Sequence, residues 1–158
     1  MTALGAEVVW TRLLTLNLGG TVYTFSLILA AFLIGLGIGS AFGSQLARTV
    51  QNPRAAFGFC QLGAVVAIGW SAYWLTEGLP FWPINPSIAS RPEPIFQIDF
   101  VRCLLVVLPG AILWGLSFPL ALAASSSEGE DAGVLVARVY AANTVGAIVG
   151  AMAVALLL

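Results

Sequence analysis

Histidine and lysine are absent from this sequence, and charged side chains of any kind make up 8% of it, against about 25% in an ordinary soluble domain. Without histidine, neither an imidazole metal site nor a Ser/His/Asp or Cys/His nucleophile can be built. The six basic residues are all arginine, they are scattered, and the net charge is -1, so there is no basic face for nucleic acid. Cysteine is scarce too. Cys60 and Cys103 have no metal-ligand spacing, and the topology derived below puts them near opposite membrane surfaces, where they are expected to stay unpaired thiols. No catalytic residues, no metal and no cofactor are expected.

What the sequence does have is apolar length: 59% of it is hydrophobic and its mean hydropathy is +0.98. Residues 22–47 contain no charge, which exceeds the roughly 20 residues needed to cross a hydrocarbon core of about 30 Å. In lipid such a stretch satisfies its own backbone only as a helix. Gly35, Gly39 and Gly43 recur every fourth residue along it, leaving one stripe of the helix nearly bare for close approach of another helix. Gly35, Gly37 and Gly39 also spell a nucleotide-loop pattern. That reading needs a preceding strand and an aqueous turn, and these glycines lie inside an unbroken apolar run.

The same reasoning along the chain predicts an all-α, polytopic membrane helix bundle of about five transmembrane helices and no soluble domain, with spans near 2–18, 22–47, 55–75, 100–124 and 134–158. Residues 76–99 hold five prolines and read as an external, proline-rich loop without regular structure. Trp70, Tyr73, Trp74, Phe81 and Trp82 gather beside it, either as a headgroup-level aromatic belt or as an aromatic cage. Pro109 and Pro119 interrupt the fourth span and should kink it. Gly146 and Gly150 in the fifth span form a second packing pair. Arg48 and Arg54 mark the loop between the second and third spans as cytoplasmic, which puts the amino end inside. Asp131, in the acidic turn before the fifth span, is suited to capping a helix.

Ionisable groups within spans cost about 2.5 to 3.5 kcal/mol each on insertion scales and normally face a partner or a cavity. Glu7 and Arg12 are five residues apart, about 140° around a helix, so each needs a partner elsewhere. Counting depth from the two surfaces brings Glu7 toward Arg138, Tyr140 and Asn143. Two readings of that cluster stay open: a site for a small polar or cationic ligand, and a buried ion pair that fixes helix register.

One series of motifs carries a resemblance. It comprises the run from Glu7 to Arg12, Val22-Tyr23 leading to Gly35 and Ser40, Pro109 with Gly115 and Phe118-Pro119, and Arg138, Tyr140, Asn143-Thr144 and Gly146. Together these resemble the membrane domain of bacterial membrane-bound spermidine synthase-like proteins, in which helices precede a polyamine aminopropyltransferase-like domain. The resemblance implies the bacterial inner membrane and a module truncated at both ends, acting as an anchor or as a passage for polyamine or another small polar solute. The aminopropyltransferase domain is not in these residues, so no enzyme activity is expected of them. A fragment of a small-solute transporter and a structural subunit of a larger membrane complex are the alternatives. The expected partners are the lipid bilayer and other membrane helices.

Overall fold

The computed structural model describes residues 2–20, 22–82, 92–126 and 131–157. The protein is an all-α helical bundle: α1 (Thr2–Leu18), α2 (Val22–Thr49), α3 (Pro53–Tyr73), α4 (Pro92–Ser125) and α5 (Ala132–Leu157), with no strand among the described residues. A π-helical turn, Trp74–Gly78, continues α3. Four of these helices, all but α1, are long and apolar enough to cross a membrane. The expectation of about five spanning helices is thus met by four on length. The 17 residues of α1 reach only about 25 Å at 1.5 Å per residue, short of a hydrocarbon core.

Local chemistry explains the element ends. Gly19, at a φ of +94°, donates its N–H to Thr15 O and closes α1, a conformation that other residues adopt only with strain. Asn52 caps α3, its Oδ1 accepting from the Ala55 N–H with Pro53 in the first turn. Asp131 caps α5 as its sequence position predicts, its carboxylate accepting from the Gly133 N–H at 2.8 Å.

The expected loop over 76–99 requires correction at both ends. The π-helical turn runs to Gly78, and α4 begins at Pro92, so residues 92–99 are helical. Pro92 and Pro94 do not break this helix because they occupy its first turn, where a backbone N–H has no intrahelical acceptor to lose. At the other end Gly78 matters, since a Cβ there would run into the Trp74 indole. The part of the loop at 83–91 lies outside the described residues.

The core forms where α2 crosses α4. A Cβ on Gly35 would stand 2.5 Å from Ala111 Cβ, one on Gly39 would overlap the Ile112 carbonyl oxygen, and one on Gly43 would meet Leu116 at 3.0 Å. Gly115 answers from α4, where a Cβ would lie 2.5 Å from Leu36 O. The two backbones therefore touch, and dispersion between them takes the place that expulsion of water has in a soluble core. Trp10 of α1 covers this seam, packing edge-on to Phe32 with centroids 6.5 Å apart and against Trp114 at 5.3 Å.

Candidate functional site

Three groups of polar side chains stand out among the described residues: donors tying α3 to α4, a hollow around Glu7, and a buried pair near Trp82.

The α3–α4 seam explains how α4 carries its prolines. Pro109 has no N–H to offer the carbonyl of Leu105, and Trp70 Nε1–H donates to that oxygen at 3.0 Å. Next to it, Ser71 Oγ donates to Val106 O at 2.6 Å. Cys60 Sγ donates to Leu113 O at 3.2 Å, and Arg54 Nε to Ala124 O, one of the last carbonyls of α4, at 3.2 Å. Trp70 thus does more than the belt or cage expected of it, since its indole replaces a hydrogen bond that the proline removed. Pro119 packs beside the other seam, its Cγ standing 3.3 Å from where a Gly43 Cβ would be.

Glu7 is half-buried on α1 and borders a hollow of about 360 Å³, shared with Val8, Thr11, Arg12, Phe25 and Ala151. Arg12 also opens onto a second hollow of about 450 Å³ with Val9, Leu13 and Leu16. Glu7 and Arg12, although far apart around the helix, both line the first hollow. The four predicted cluster residues are not brought together. Glu7 lies level with Ala151, whereas Arg138 is thirteen positions earlier in α5, about 20 Å along a helix. Tyr140 is 62% exposed and Asn143 is also exposed. Depth counting failed because it assumed α1 and α5 to be upright and in register. Close approach instead occurs at Gly5, where a Cβ would lie 3.0 Å from Val154 and 3.5 Å from Gly150 O. Of the second packing pair, Gly150 is buried and Gly146 half-buried.

The third group escaped the sequence reading. Asp99 and Arg102 are 8% and 6% exposed, and Arg102 Nη1 lies 3.5 Å from Asp99 Oδ1, one turn apart on α4. Arg102 also sits over Trp82, its Cζ 5.5 Å from the ring centroid. Trp82 in turn lies 6.0 Å from Trp74, and among the described residues neither Trp74 Nε1–H nor Arg102 Nε–H has an acceptor. The signal available in the sequence was the Asp-x-x-Arg spacing, which places both groups on one helix face. It was obscured by treating residue 99 as the end of a loop.

No protein-family model, curated protein or solved structure matches the chain.

Proposed function

We propose that this chain is an integral membrane module that acts as an anchor and as a packing surface for other membrane helices, without catalysis of its own. The observation that carries this reading is the contrast between α4 and α5. In its most apolar window α4 is 44% buried within the bundle and α5 only 6%, although both are apolar enough to span. One side of α5 meets α1 around Gly150 and Val154. The other presents Val145, Ile148, Val149, Met152 and Leu156, an i, i+3, i+4, i+7, i+11 pattern that lies on one helix face, to whatever surrounds the bundle. A helix apolar all round and so little covered by its own chain meets lipid or another helix.

Placed in the family the sequence resembles, the surface would serve other helices or subunits of a spermidine synthase-like protein in the bacterial inner membrane. The Arg48/Arg54 loop would set the turn between α2 and α3 in the cytoplasm, and the amino end would share that side only where α1 crosses as well. A spin label at Ile148→Cys, in a chain carrying Cys60→Ser and Cys103→Ser, tests the packing surface. In native membranes its collision rate with oxygen is expected to be low, rising when single chains are isolated in nanodiscs. A rate already high in native membranes would leave α5 facing lipid and reduce the role to anchoring.

A second reading is supported by the Glu7 hollow. Glu7 borders this hollow together with Arg12, so a polyamine ammonium that pairs with the Glu7 carboxylate would have to do so against the Arg12 guanidinium on the same lining. Calorimetry with spermidine on the wild type and on Glu7→Gln tests it: loss of binding in the variant supports a passage, and absence of binding to folded wild type rejects it.

A further inference from the structure

The geometry points to a binding site for the phosphoethanolamine headgroup of a phospholipid at the Trp82 end of the bundle, with Arg102 and Trp74 donating to its phosphate and Asp99 receiving its ammonium. This rests on reading the chain as membrane-embedded and goes beyond its role as a packing module. A guanidinium offers five N–H donors in a planar fork, and the contact with Asp99 engages only Nη1, at a loose 3.5 Å. The Nε edge, the one suited to bidentate pairing with phosphate, faces no acceptor among the described residues, in a side chain that is 93% buried. The indole N–H of Trp74 is a second buried donor without an acceptor among the described residues. Both flank Trp82, which is half-buried at the rim, so a headgroup reaches both by displacing one ring. Two orphaned donors call for acceptor oxygens, not for a cation or an apolar group.

Depth selects the source of those oxygens. Arg102 lies eight residues before Gly110 and twelve before Trp114, the level at which Trp10 packs. At 1.5 Å per residue this is about 12 to 18 Å along α4 from the Trp10 packing level, comparable with the half-thickness of a 30 Å hydrocarbon core when that level is taken as the midplane. Phospholipid phosphates sit just outside that boundary, and Trp70, Tyr73 and Trp74 cluster at the same end, where aromatic belts form. The carboxylate of Asp99 explains the choice of headgroup. Either lipid brings a phosphate for Arg102 and Trp74, but only an ethanolamine ammonium also pairs with the Asp99 carboxylate, which a glycerol headgroup leaves facing the phosphate.

The test is native mass spectrometry of the full chain released from nanodiscs containing equal phosphatidylethanolamine and phosphatidylglycerol with the same acyl chains. Wild type is expected to retain the ethanolamine lipid about tenfold over the glycerol lipid, the size of one charge-assisted hydrogen bond. Arg102→Gln should abolish retention. Trp74→Phe, which keeps a ring and loses the donor, should weaken it, and Asp99→Asn should remove the preference between the lipids. Displacement by free O-phosphoethanolamine would assign recognition to the headgroup alone. Persistence of the lipid in its presence would assign it to headgroup and bilayer together, and both results support the site. Equal retention of the two lipids by wild type, or unchanged retention in Arg102→Gln and Trp74→Phe, would overturn it. Alkaline carbonate washing of the same membranes separates the two claims, because release of wild type into the wash would refute membrane embedding itself.

Discussion

At the scale of single residues, hydrogen bonds that leave one helix for the carbonyls of another define how this bundle is joined. Trp70 shows why such bonds matter more here than on a wet surface. The carbonyl of Leu105 has lost its helical donor to Pro109, and lipid supplies no water in its place. Trp70→Phe should therefore lower stability by about 0.6 to 1.7 kcal/mol, the average and the maximum measured for hydrogen bonds between membrane helices. Pro109→Ala returns an N–H to the same carbonyl, so the two substitutions should be coupled: in the Pro109→Ala background the cost of Trp70→Phe should nearly vanish. Reversible unfolding in mixed micelles reads the cycle, and strictly additive losses would break the link. Both residues were visible in the sequence as a belt aromatic and a kink. Their connection was not, because it depends on the register between α3 and α4, which residue spacing within either helix does not encode. The Glu7–Arg138 expectation failed for the same reason, while the local caps at Asn52 and Asp131 depend only on neighbours two or three residues away.

At the scale of elements, apolar length and proline position decided what each segment became. α2 followed from an uncharged run, and its glycine stripe was placed on the right face, since Gly35, Gly39 and Gly43 are all buried against α4. The start of α4 was misplaced because proline density was weighed without proline position, and prolines in a first turn leave a helix intact. α1 is the marginal element. It is short and carries Glu7 and Arg12, and it is held by Trp10 and Leu14, which are 3% and 0% exposed. Glu7→Leu should favour membrane insertion of α1 by about 3 kcal/mol, the cost of an ionisable group at depth, as read by a glycosylation reporter of helix insertion. An unchanged insertion efficiency would mean that Glu7 is already neutralised by a polar partner in the membrane.

At the scale of the whole molecule, the chain combines a tight centre with an open flank. α2 and α4 touch along their backbones, α3 is stitched to α4 by side-chain donors, and α5 leaves most of its surface uncovered. Composition alone forecast the class of this object, since so apolar a chain with so little charge cannot stay in water. Neither composition nor motif forecast the buried Asp99–Arg102 pair, whose burial depends on Trp82 folding back over it after the π-helical turn. The central claim is that backbone contact at the α2–α4 crossing holds the molecule together, and two neighbouring glycines on one helix test it most directly. A methyl group on Gly39 would overlap the Ile112 carbonyl, whereas one on Gly37 meets nothing within 4 Å. Thermal unfolding of Gly39→Ala and Gly37→Ala in the same lipid nanodiscs should therefore diverge. Gly39→Ala is expected to lose about 1 to 3 kcal/mol by overpacking, while Gly37→Ala is unchanged or slightly more stable through better helix propensity. Equal melting temperatures for the two variants would contradict the seam and the architecture built upon it.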